Sequence, residues 1–169
     1  MRTQADLRAL RMASRSHTPS VGKFPVWTVE KLRFADTDRN GHITNSVFAV
    51  CCQNARMELL CDPKRVPIPR NTQFVIARLV LDFRAEMHWP GSVQIGTRVE
   101  SIGQSSVTLA QGLFVNQRCV ATAESIVVLT EVATRQSVNF SEDVVQALRG
   151  VGRPHRGMTP NRTTSDATF

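Results

Sequence analysis

Two carboxylates stand one residue apart in FADTDRNGHITN, residues 34–45, and around them fall Asn40, Gly41, His42 and Asn45. A carboxylate such as Asp38 can act as a general base on water or attack an acyl carbon itself. Asn40 and His42, at alternate positions after it, can orient the water, the carboxylate or a substrate oxygen. Gly41 lets the backbone turn sharply or approach a ligand closely. The apolar run from Val47 predicts a helix, with Asn45 as its N-cap. The free N–H groups and partial positive charge of such a helix start can hold an oxyanion as it forms. The same residue types also build plain turns, because Asp and Asn side chains bond nearby backbone, so the stretch fits a turn as well as a site. It opens like a calcium loop, DxDxNG, but that loop needs a Glu six residues after the Gly, and position 47 is Val.

A helix and a set of strands must hold this stretch in place. Residues 45–61 contain neither Gly nor Pro, and Phe48, Cys52, Ala55 and Leu59 recur at helical spacing. Val47, Val50, Cys51 and Leu60 widen the stripe until Gln53, Asn54, Arg56 and Glu58 form only a narrow polar edge, which predicts a buried helix. VWTVEKLRF, residues 26–34, reads as a first strand. After the proline-rich loop DPKRVPIPRN the period changes from 3.6 to 2. In QFVIARLVLDFRAE, Val75, Ala77, Leu79, Leu81 and Phe83 alternate with a set containing Arg78, Asp82 and Arg84. A WPG turn follows, then Val93, Ile95, Thr97 and Val99 alternate with polar residues, and two further runs meet at Asn116 and Gln117. Connections this short imply antiparallel pairing. Residues 141–148 begin with Ser141, Glu142 and Asp143, a suitable helix start. The expected class is α+β, a five-stranded antiparallel sheet wrapped around one long helix, with a short helix at the end.

The formal charge of +7 does not belong to this body. Residues 1–24 carry five Lys or Arg and one Asp, and residues 149–169 carry four Arg and one Asp, leaving twelve bases against twelve acids in between. The expected organisation is a basic, flexible N-terminal extension over 1–24, one domain over 25–148 and a disordered basic tail over 149–169. A neutral body without a basic face or known module excludes nucleic acid as the expected partner. No run approaches the roughly 20 apolar residues that cross a bilayer. Arg2, Arg8, Arg11 and Arg15 give the first segment some likeness to a transit peptide, but an untargeted extension and a cytoplasmic location are the expectation. Cys51, Cys52, Cys61 and Cys119 show no CxxC spacing, so they read as reduced, mostly buried residues. His17, His42, His88 and His155 are scattered along the chain, and no metal site is expected with those cysteines.

The segment RFADTDRNGHITNSVFAVCCQNAR resembles the signature of hotdog-fold acyl-CoA thioesterases of the 4-hydroxybenzoyl-CoA thioesterase type, roughly D-T-D-x-x-G-H-V-N-N-x-x-Y followed by A-R. FVIARLVLDFRAEMHWPGSVQIGTRVESIG looks like that family's second and third strands, and the likeness spans about residues 26–148. It implies a single hotdog domain that hydrolyses acyl-CoA, or an acyl-carrier-protein thioester, without a cofactor. It also implies a homodimer or homotetramer with active sites at the subunit interface. By position, Asp38 matches the catalytic acid and Asp36 the supporting one; Asn40 and His42 match the partners of a related string in plant acyl-carrier-protein thioesterases. Gly41, Asn45 and Phe48 are the expected substrate-binding positions. Thr44 departs from the first Asn of the motif, Phe48 from its Tyr, and Gln53 and Asn54 stand where relatives carry Glu. Those losses keep a second expectation open: a non-catalytic hotdog module that binds acyl-CoA as ligand or sensor.

Overall fold

The chain after Phe24 starts as an edge strand and ends up buried as a helix, and the turn between the two carries the acidic stretch. In the computed structural model, which describes residues 20–151, strand β1 (Val26–Lys31) leads through a 3-10 turn (Phe34–Asp36) into helix α1 (Asn45–Leu60). Strands β2 (Thr72–Phe83), β3 (Ser92–Ile102), β4 (Ser106–Val115) and β5 (Arg118–Glu131) follow, and helix α2 (Glu142–Val151) closes the fold. The sheet order is β1-β3-β4-β5-β2 with every pairing antiparallel. The β4–β5 hairpin turns at Asn116 and Gln117, both at positive φ (48° and 65°), the geometry that matches the strands' right-handed twist. The expected α+β hotdog architecture is therefore present.

Several details depart from simple periodicity. The first strand stops at Lys31 rather than running to Phe34, because the Asp36 side chain captures the backbone N–H of Arg33 and bends the chain. A bulge at Ala77, between Ile76 and Arg78, breaks the period-2 alternation of β2. Phe74 before the bulge and Leu81 after it pack on the core, whereas Val75, Ile76 and Leu79 are exposed. Phe24 is buried, and α2 continues to Val151. The remaining tail residues, including the transit-like stretch, lie outside the described residues.

Helix α1 buries Phe48, Cys51, Cys52, Ala55, Leu59 and Leu60 against the sheet, while Val50 stays 46% exposed on the other side. Arg56, expected on the polar edge, is instead buried. It donates to Gln111 Oε1 at 3.2 Å, and Gln111 Nε2 donates to Cys52 O (3.0 Å) and Thr97 Oγ1 (3.2 Å). Burial lowers the pKa of Arg56, and the bonded Gln111 is what keeps a buried guanidinium tolerable. No helix among the described residues is long and apolar enough to cross a membrane.

The other face of the sheet is closed by Phe24, Trp27 and Phe114, stacked edge-on at 5.9 Å and in a tilted pair at 5.6 Å. Phe24 lies directly over Gly96 and Gly112, which pair across β3 and β4. A Cβ on Gly96 would sit 2.5 Å from Phe24 Cγ, so the ring occupies the space that side chains would take. Gly96→Ala is expected to destabilise the fold by about 1–3 kcal/mol through this overlap. In urea titrations the same change made on a Phe24→Ala background should cost much less.

Candidate active site

The acidic stretch is locked from one side by Asp36. Its carboxylate accepts from Arg33 N (2.8 Å), Arg33 Nη2 (2.8 Å) and Arg33 Nε, and its carbonyl accepts from Thr44 N and Thr44 Oγ1, both at 2.9 Å. Thr37 and Ile43 then bridge as antiparallel partners, so residues 38–42 are the tip of a small hairpin folded back on the start of α1. Hydrogen bonds with Arg33 hold the Asp36 carboxyl below the usual carboxylate range.

Within the tip, Asp38 N donates to His42 O (2.8 Å) and Gly41 N to Asp38 O (3.0 Å). Gly41 takes φ +79°, a left-handed conformation that costs other residues strain. Asp38 Oδ1 accepts from the backbone N–H of Asn40 (2.8 Å) and of His42 (3.1 Å). The carboxylate is exposed, and Oδ2 takes no part in these bonds. The turn and the candidate site are thus one object: Oδ1 shapes the loop and Oδ2 is left outside those contacts.

The helix start differs from the expected cap. Thr44 is the N-cap and Asn45 the first helical residue, and Thr44 makes no side-chain cap bond because its hydroxyl is spent on Asp36 O. Val47 N donates to Thr44 O (2.9 Å), and no side-chain bond of the N-cap closes the two amides before it, those of Asn45 and Ser46. Asp38, Asn40, Gly41 and His42 share the one loop, Asn45 is exposed at the head of the helix, and Phe48 is buried one turn on, edge-on to Phe83 of β2 at 5.1 Å.

Periodicity had no means of finding the second wall of this region, the β2–β3 connection over residues 84–91. Ile43 N donates to Met87 O (2.8 Å), His42 bridges His88, and the Phe34 and Trp89 rings meet edge-on at 5.4 Å while both stay exposed. Glu86 Oε2 lies 3.5 Å from His42 Nε2 and 3.7 Å from His88 Nε2. Gln53, where relatives of the expected type carry Glu, is exposed; Asn54 donates to Glu30 of β1 (2.9 Å), and Thr28 donates to Glu58 (2.7 Å). The helix cysteines are not nucleophiles: burial pushes the thiol of Cys51 up to about 11 and that of Cys52 up to about 12, leaving both protonated near neutrality.

A family model described as the thioesterase-like superfamily matches residues 32–148, which includes the acidic loop, α1 and all of β2 to β5. The chain belongs to the thioesterase-like superfamily. Solved structures agree in fold. A thioesterase from Thermus thermophilus, complexed with coenzyme A and Zn, is 25% identical with a TM-score of 0.67, over 78% of this chain and 98% of that one. A predicted thioesterase from Bacillus stearothermophilus is 27% identical with a TM-score of 0.67, over 73% and 93%. A DHNA-CoA thioesterase from Staphylococcus aureus, at 16% identity and a TM-score of 0.66 over 74% and 89%, shares the fold. No curated protein sequence matches at a significant level.

The depressed pKa of Asp36 sets a pH signature for the loop. Its contribution to stability is complete above the ordinary carboxylate pKa near 4 and is lost as pH falls through the lower folded value. Asp36→Asn should therefore lower the thermal midpoint at neutral pH, and the wild-type and variant midpoints should converge in acid.

Proposed function

We propose that this protein hydrolyses acyl thioesters of the acyl-CoA class, with Asp38 as general base on water or as nucleophile. The observation that carries this reading is the Asp38 carboxylate: one oxygen is fixed by two backbone N–H groups, and the other stays outside those bonds at an exposed loop tip beside a helix start that its N-cap side chain leaves open. In the general-base route, Asp38 takes a proton from water as the hydroxyl oxygen bonds to the thioester carbon. The negative charge collects on the carbonyl oxygen beside the N–H groups of α1, and collapse expels the thiolate. In the nucleophilic route the carboxylate itself bonds to that carbon, the thiolate leaves, and water cleaves the resulting mixed anhydride. Asn40 and His42 orient the water or the carboxylate, Gly41 and Asn45 give backbone room and donors to the carbonyl, and Phe48 with Phe83 borders the acyl group. Coenzyme A bound to a similar thioesterase supports CoA as the carrier over acyl carrier protein.

Across a panel of aromatic and aliphatic acyl-CoAs, the wild type should release free thiol. Asp38→Asn and Asp38→Ala should lower kcat by on the order of a hundredfold to ten-thousandfold with the fold intact. Equal rates in wild type and both variants would remove Asp38 from the chemistry. Saturable acyl-CoA binding without turnover would instead leave only a non-catalytic module that binds acyl-CoA.

We also propose that the working unit is a homo-oligomer formed through β2. This edge strand leaves Val75 40%, Ile76 46% and Phe83 50% exposed, together with unpaired backbone groups along its outer side. Replacing Val75 and Ile76 by Lys should turn an assembled species into a monomer in light scattering and remove hydrolysis with it.

A further inference from the structure

We propose that His42, Glu86 and His88 form a binding site for one first-row transition-metal dication of the zinc class. The ligand atoms of the three residues all lie within 4.8 Å of one another. Tetrahedral zinc with bonds of about 2.0–2.2 Å holds neighbouring ligand atoms about 3.3–3.6 Å apart. Glu86 Oε2 comes close to that spacing against both imidazoles, at 3.5 Å from His42 Nε2 and 3.7 Å from His88 Nε2. The two rings stand edge-on with centroids 5.1 Å apart, so closing them on a shared ion takes a small rotation of side chains.

The backbone makes this arrangement durable. His42 and His88 are partners in an antiparallel bridge, and Ile43 N donates to Met87 O at 2.8 Å beside it. Glu86 and His88 are two residues apart and both exposed, with buried Met87 between them. The donor set is two imidazoles and one carboxylate, which suits zinc, cobalt or nickel and disfavours the all-oxygen cations magnesium and calcium. Three protein ligands leave at least one position for water, and all three side chains are accessible, His42 at 36%, His88 at 58% and Glu86 at 65%, so an ion can enter from solvent. Asp38 is not among these residues; its Oδ1 accepts from the loop backbone. A bound ion would tie the acidic loop to the β2–β3 connection through side chains as well as backbone.

Metal binding at these three residues shares His42 with the proposed hydrolytic site, but it is measured directly and without turnover. The full chain, stripped with a chelator, is titrated calorimetrically with zinc chloride, and retained zinc is counted after gel filtration. The wild type should bind one zinc per chain and should not bind magnesium at the same concentrations. His88→Ala, His88→Gln and Glu86→Gln, each checked for an unchanged circular dichroism spectrum, should bind zinc at least about tenfold more weakly, a loss seen even for outer partners of metal ligands. Cobalt should give the wild type a visible d–d absorption that these variants lack. No zinc on the wild type, or unchanged affinity in folded variants, would overturn the site.

Discussion

Everything in this fold depends on burying α1 against the sheet while the chain enters it from the sheet's edge. β1 pairs with β3 at one margin, yet α1 packs across the same sheet, so the chain must reverse over the sheet's end within residues 32–44. A reversal of that kind strips backbone groups of their ladder partners, and buried groups without partners are costly. Asp36 supplies the replacements at both ends of the reversal: its carboxylate takes the Arg33 N–H and guanidinium, and its carbonyl takes the Thr44 amide and hydroxyl. Asp36 is thus the fastener between strand and helix, its carboxylate holding Arg33 and its carbonyl holding Thr44, and the bonds from Arg33 keep its carboxyl below the ordinary range.

The chemistry of the loop follows from that fastening. With Asp36 holding both ends, residues 38–42 need no core contacts and can be polar and exposed. Because Thr44 is committed to Asp36, its side chain does not cover the first amides of α1. A structural demand, closing the turn, therefore leaves donors open at the place where the family resemblance expects an acyl carbonyl. The neighbouring cysteines add no competing nucleophile, since the burial that makes them good core residues also keeps them as thiols.

The two faces of the sheet are finished in different ways. Toward α1 the strands present Val93, Ile95, Leu113 and Ala121 to a helix that fits into them, with Gln111, Arg56 and Thr97 among the buried polar residues. On the far face there is no helix among the described residues; Phe24, Trp27 and Phe114 pack there instead, and Gly96 and Gly112 leave room for the Phe24 ring. Edge strand β2 is left with exposed apolar side chains, Val75, Ile76, Leu79 and Phe83, on a bulged ribbon.

The order of elements, the α+β class and the acidic loop were all legible in the residues, because they rest on local causes. Hydrophobic period separates α1 from the strands, prolines and Asn-Gln mark the turns, and Asp, Gly and Asn cluster only where the backbone leaves regular structure. What local pattern could not decide was any fact that depends on a partner far along the chain. Arg56 looks polar and exposed on a helical wheel, but Gln111 of β4 makes its burial possible. Ala77 looks like one more alternating residue, but the pairing of β2 with β5 turns it into a bulge. Asn45 has the better capping side chain, yet Thr44 occupies the N-cap position, with its hydroxyl bonded back to Asp36 O. His42 and His88 lie far apart in sequence and face each other only through a bridge between two loops. Sequence period records which way a side chain points from its own backbone; only the folded chain settles what it meets there.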